Sequence, residues 1–228
     1  KFNDGNRIPC AFMRNDLEGS EKEAMKATLG MISYIDDRVG AILDALDETG
    51  QAENTLVIFT TDHGEIHGHH GLWHKGLFAY DDCQRIPLLV WGPGLFKQQG
   101  TINALVSLMD IVPTILSFAD IYPKQGIQGN DLSSLLNGEV AEVQDEVLVE
   151  LEATPNVYQQ TMVTDRYKLV VYRDFDDGEL YDMKEDPDQY NNLWDVPEYK
   201  ELRTKLLQQF VQANMSKEGY VHDRKAFA

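Results

Sequence analysis

The run Thr55–Thr61, TLVIFTT, constrains the fold more than any other stretch of the chain. Apolar and β-branched residues occupy both of its alternating faces. That pattern predicts a strand, Leu56–Thr61, covered on both sides, as in the buried middle of a parallel or mixed sheet. The strand stops abruptly at Asp62-His63-Gly64. Open α/β sheets hold their ligands at the carboxyl ends of such strands. A carboxylate and an imidazole there, with Lys75 13 positions beyond Asp62 on the same loop, suit a divalent metal beside an anionic ester. Alone, an Asp-His pair is more readily a helix cap with a packed ring. The loop argues for chemistry: Gly64, Gly68 and Gly71 permit close backbone approach and positive φ, and Asp62–Tyr80 is long for a connection without elements of its own.

The pattern around this strand sets the architecture. Ser20 and Glu23 have the spacing of a capping box. Ile32, Ile35, Val39, Ile42, Leu43 and Leu46 then form one helical stripe, ended at Gly50. A second buried strand is predicted at Ile86–Trp91, closed by Gly92-Pro93-Gly94. Asp110 is the expected cap of a helix through Phe118, and a short helix over Asp131–Leu136 ends at Asn137-Gly138. Beyond residue 140 the pattern becomes short strands: Glu146–Leu151, Thr161–Thr164, Tyr167–Tyr172 and Glu179–Tyr181, with hairpin signals at Asp165-Arg166 and Asp176-Asp177-Gly178. An amphipathic helix, Pro197–Ala213, comes last. Alternating α and β units followed by an antiparallel patch predict an α/β core over residues 1–140 and a small α+β subdomain over 141–228.

Composition narrows the function classes. The 228 residues carry a formal net charge of −18, which disfavours nucleic acid as a partner. An anionic substrate has to be attracted locally, by a metal and a few cations. No run approaches the roughly 18 apolar residues of a membrane span. The two cysteines, Cys10 and Cys83, lack the spacing of a zinc site. Buried thiols are the expected state, with a single disulfide as the alternative in an oxidising compartment. Compartment is not legible.

The order of motifs resembles the sulfatase family of the alkaline-phosphatase superfamily. That family places Asp-His-Gly or Asp-Asn-Gly after a strand of this kind. A Gly-Leu-Trp-x-Lys-Gly loop follows, then an acidic pair, Arg-x-Pro, and a strand closed by Gly-Pro-Gly. Here the matches are GLWHKG at 71–76, Asp81-Asp82, Arg85-Ile86-Pro87 and LLVWGPG at 88–94. Downstream, SLMDIVPTILSFADI at 107–121, VTDRYKLVVY at 163–172 and ELYDMKEDPDQYNNL at 179–193 continue the likeness.

The resemblance implies an alkaline-phosphatase-like mixed sheet flanked by helices, present in part, with a C-terminal antiparallel subdomain. It implies that Asp62 and His63 are two ligands of a divalent metal, commonly calcium in this family, with magnesium or manganese as alternatives. Lys75 would contact the sulfate and stabilise the leaving oxygen, a transition-state role. Among the remaining histidines His70 and His74, which flank Trp73 and Lys75, are the best placed to touch substrate. Taken singly, each of these histidines is more readily structural, and the absence of a second Cys/His pair argues against zinc. Trp73 and Phe78 are suited either to stacking on a sugar or aryl ring or to packing. Arg85 and Asp81-Asp82 are expected to anchor the loop.

Family chemistry requires a formylglycine nucleophile from a Cys/Ser-x-Pro-x-Arg motif. Cys10 and Arg14 reproduce only its ends, because Phe12 and Met13 stand between them, so Cys10 is rejected as nucleophile. The family's Asp-Asp metal ligands and Pro-His segment are also expected upstream of Lys1. The expectation is a C-terminal half of a sulfatase, inactive alone, whose partners are the N-terminal half of the same protein and a sulfated small molecule or saccharide. Two alternatives stand beside it: a phosphonate or phosphate ester hydrolase of the same superfamily, and a non-catalytic acidic module.

Overall fold

The computed structural model describes residues 19–76, 78–122, 127–154 and 157–217. Cys10, Phe12, Met13 and Arg14 lie outside the described residues, as does the predicted extended opening of the chain. Contacts divide the chain into two compact units, 1–96 and 97–228.

In the first unit, α1 runs Glu21–Glu48. Ser20 is its N-cap residue but makes no side-chain cap hydrogen bond, so the predicted capping box is absent. Glu23 pairs with Lys26 at 2.7 Å, a turn further on, which takes its carboxylate away from the cap. The apolar stripe is present, yet no residue of α1 is buried among the described residues, and Ile32, Ile35 and Ile42 are exposed. A short 3-10 turn, Ala52–Asn54, leads into β1, Val57–Thr60. β1 pairs antiparallel with β2, Leu88–Trp91, in the register Phe59↔Leu89. Both of those side chains are exposed, so β1 is half-buried rather than covered on both faces as its sequence predicts. Between the strands lie the long loop and a single helical turn, α2, Asp81–Gln84.

The second unit opens with a 3-10 turn, Leu108–Asp110, that runs directly into α3, Ile111–Phe118. Asp110 does not cap α3 with its side chain, contrary to the expectation. It serves one turn earlier, as the reciprocal partner of Ser107 in a capping box. The fully buried Asp110 carboxylate accepts from Ser107 N at 2.7 Å, Asn130 N at 2.8 Å and Gln144 Nε2 at 3.0 Å. Three acceptor bonds satisfy a buried charge that would be costly alone. They also tie α3 to the segment before α4, Ser133–Leu136.

A four-stranded antiparallel sheet follows: β3 (Glu146–Thr154), β4 (Val157–Thr164), β5 (Tyr167–Tyr172) and β6 (Gly178–Asp182), in that spatial order. Asp165-Arg166 forms the predicted tight hairpin, since Val163 pairs with Lys168. One face of the sheet packs Met162, Leu169 and Leu180 against Leu206 of α5, Lys200–Lys217, with Trp194 and Phe210 around them. A 3-10 turn, Pro197–Tyr199, precedes α5, so the predicted helix begins later and extends further than its sequence suggests. Among the described residues no helix is long and apolar enough to cross a membrane.

Candidate functional site

β1 delivers Asp62 and His63 to the start of the long loop, and the loop bends so that Lys75 returns to them. Two close approaches make the bend. Gly64 N donates to Cys83 O at 2.9 Å, laying the chain directly against α2. A Cβ on Gly64 would stand 1.8 Å from Asp82 O, so only glycine fits there. Gly68, at φ +93°, closes a second turn by donating to Leu72 O at 2.7 Å. Trp73 and Ile66 are buried beneath that turn.

The ammonium of Lys75 stands 2.9 Å from His63 Nε2. An ammonium has donors and no acceptor, so Nε2 must offer its lone pair. The other ring nitrogen agrees: Nδ1 lies 2.9 Å from Gly64 O, a carbonyl that only accepts. These two distances suit a ring that donates from Nδ1 to the backbone and turns Nε2 towards Lys75. Asp62 Oδ2 lies 3.3 Å from the same Nε2. With the proton on Nδ1 these are two acceptors side by side, and in this structure the cation that meets Nε2 is the Lys75 ammonium. The Asp62 carboxyl is held below its ordinary carboxylate range, chiefly by its own backbone N–H, with His63 and then the Thr61 hydroxyl adding to this. It is largely exposed.

Asp62, His63 and Lys75, predicted from sequence to share a site, are therefore together. Among the described residues no group of three or more His, Cys, Asp or Glu side chains could hold a metal ion. Asp62 and His63 are at most part of a ligand set. As such a part they fit. Two ligands of a hard cation, at about 2.3 Å each and at right angles, stand about 3.3 Å apart. That is the spacing of Oδ2 and Nε2.

The other histidines are engaged by their neighbours. His69 Nδ1 donates to Asp82 Oδ2 at 2.6 Å, and this pair is about three-quarters buried. The His70 ring stacks on Tyr80 with centroids 3.9 Å apart and planes 10° off parallel, and meets the His69 ring at 4.2 Å. His67 packs edge-on to Trp73. His67, His70 and His74 all have positive φ, between 51° and 65°, a conformation that histidine visits more readily than most residues but still at a cost. Trp73 serves packing, since it is buried; Phe78 stacks loosely with Tyr80. Of the acidic pair, Asp82 ties the loop to α2 through His69, while Asp81 faces Arg85 at 4.0 Å, one turn on. The partner of Asp82 was illegible, because the sequence does not say which of six histidines it meets.

Comparison with known proteins decides the family. The sulfatase family model matches residues 2–121, and the model for the C-terminal region of N-sulphoglucosamine sulphohydrolase matches residues 68–216. The chain belongs to the sulfatase family. It is 31% identical over 211 residues to an N-acetylglucosamine-6-O-sulfatase of Bacteroides thetaiotaomicron, a match covering 86% of this chain and 38% of that protein. A structure solved in complex with its substrate, D-glucosamine-2-N,6-O-disulfate, superposes with a TM-score of 0.82 at 26% identity, covering 99% of this chain and 46% of the other. The phosphonate monoester hydrolase of Agrobacterium radiobacter aligns at 0.75 and 25% identity, over 82% of this chain and 40% of the other. The fold is alkaline-phosphatase-like, and this sulfatase chain spans less than half the length of those relatives.

Proposed function

We propose that the chain supplies the Asp-His and lysine side of the active site in a sulfuric ester hydrolase. The observation that carries this reading is the side-by-side lone pairs of Asp62 and His63 with the Lys75 ammonium beside them. In this reading Asp62 Oδ2 and His63 Nε2 hold a divalent cation, calcium or alternatively magnesium or manganese. When bound, such a cation polarises an ester oxygen and neutralises oxyanion charge.

The chain's own groups do the rest. Gly64 O, accepting from Nδ1, orients the His63 ring so that Nε2 faces the site. The Lys75 ammonium, 2.9 Å from His63 Nε2, would stand beside the ester held at this site. There it donates to the bridging oxygen as negative charge grows on the leaving group. The attacking group in this reading is a formylglycine from outside these 228 residues, and the isolated chain turns nothing over. The substrate class is a sulfated saccharide or small molecule, in line with the sulfated glucosamine of the superposed structure.

A phosphonate or phosphate ester hydrolase is the second reading, favoured by the likeness to the phosphonate monoester hydrolase. Kinetics of the full-length protein on matched aryl sulfate, phosphate and phosphonate esters separate the two. A higher kcat/KM for sulfate is expected; a preference for phosphorus would replace the first reading with the second.

A further inference from the structure

Lys75 is useful only if its ammonium is held near His63, yet it sits at the end of a loop with little regular structure. Four side chains connect its backbone to α2. Asp82, in α2, accepts from His69 at 2.6 Å. The His69 ring meets His70 at 4.2 Å, His70 stacks on Tyr80 at 3.9 Å, and Tyr80 lies parallel to Phe78 within 15° at 6.1 Å. Phe78 in turn lies over Gly76, where a Cβ would meet its ring at 2.7 Å. Gly76 is the residue after Lys75. Tyr80, between His70 and Phe78 in this series, is also the N-cap residue of α2. The rings therefore form a strut from α2 to the backbone that bears the lysine, and the His69–Asp82 bond fixes its far end.

We infer that Asp82, acting through His69 and this ring ladder, is the positioning residue for Lys75. The inference rests on the reading of Lys75 given above, but its geometry does not. A charge-assisted hydrogen bond in a largely buried setting locks His69 in one rotamer, and stacked rings transmit that fixity because each fills the space beside the next. Releasing the clamp lets residues 69–76 relax from their strained backbone, and the ammonium leaves Nε2.

The test has two readouts. The first is the imidazole 15N spectrum of His63 in metal-free protein, where the Nε2 resonance reports the bond from Lys75. Lys75→Ala gives the reference shift for its loss. Asp82→Ala is expected to move the His63 signal at least halfway to that reference, while Asp82→Asn, which keeps an acceptor for His69, leaves it near wild type. Tyr80→Leu, which breaks the ladder and leaves the clamp, is expected to behave like Asp82→Ala. A His63 signal unmoved in both Asp82→Ala and Tyr80→Leu overturns the inference.

The second readout is kcat on alkyl sulfates for the same variants of the full-length protein. Asp82→Ala is expected to lose tenfold to about a hundredfold with little change in KM, a range typical of ångström-scale misplacement. In a Lys75→Ala background it is expected to add nothing; a full additive loss overturns the inference. Unchanged turnover in Lys75→Ala itself sinks the catalytic reading of Lys75 and leaves the positioning question to the 15N shifts.

Discussion

Replacing Gly64 by alanine tests how the site is built. The added Cβ would lie 1.8 Å from Asp82 O and 2.9 Å from Asp82 C. Real Cβ contacts stay beyond 3.0 Å, so the two backbones must part by about 1.2 Å, the difference 3.0 − 1.8. Neither side has a flexible end that can swing away. Parting them breaks the bond from Gly64 N to Cys83 O. Overpacking of this kind costs roughly 1–3 kcal/mol, and the lost hydrogen bond about 1 kcal/mol more. For a chain of this size that lowers Tm by about 5–15 °C. The shift also moves His63, the preceding residue, and Asp82, which clamps His69. An ångström of misplacement costs about a hundredfold in rate, so turnover by the full-length protein is expected to fall further than stability implies. Differential scanning calorimetry and ester kinetics on the same samples provide the assay. Gly40→Ala is the control: it lies in α1 with nothing within 4 Å of its Cβ and is expected to be neutral or stabilising by up to about 1 kcal/mol. A Gly64→Ala protein with wild-type Tm and turnover would refute the close approach and the site geometry that depends on it.

Other perturbations give separate checks. Asp110→Asn places an amide among three donors that now point at a carboxylate, and urea unfolding is expected to show a loss of about 3 kcal/mol. Asp182, nearly buried, is held below its ordinary carboxylate range first by the Arg166 guanidinium, which donates at 2.7 Å, and then by the Lys184 and Glu185 N–H groups. A depressed carboxyl contributes stability that is complete above its unfolded value of about 3.9 and is lost as pH falls through the lower folded value. Acid unfolding followed by circular dichroism is therefore expected to begin at higher pH in Arg166→Gln and to lose part of its pH dependence in Asp182→Asn. Gly178→Ala drives a Cβ to 2.5 Å from the Trp194 ring, and a lower Tm with altered tryptophan fluorescence is expected.

Much of this was legible because it depends on local rules. Tyr167–Tyr172 is rich in β-branched and aromatic residues and is bounded by Asp165-Arg166, so its strand limits follow from sequence alone. The convergence of Asp62, His63 and Lys75 follows from a strand end and a loop rich in glycine. Interactions decided at a distance were not legible. Asp110 reads as a helix cap, although Ser107 and Asp110 have the same capping-box spacing as Ser20 and Glu23, and only the structure shows which of the two boxes forms. Lys168 lies on a strand and would be placed in solvent by its type, yet it is fully buried, with Gln189 Oε1 3.5 Å from Nζ. The stripe of α1 and the apolar faces of β1 and β2 read correctly as apolar, but periodicity says nothing about what covers them.

The measurement closest to the central claim is calcium titration of the full-length protein by calorimetry, with sulfate ester hydrolysis measured on the same samples, for wild type, Asp62→Ala and His63→Ala. Each substitution is expected to weaken calcium binding by about tenfold or more and to reduce hydrolysis in parallel. Undiminished calcium affinity and turnover in both variants would mean that these neighbouring lone pairs serve no cation, and the proposed chemistry would fall with them.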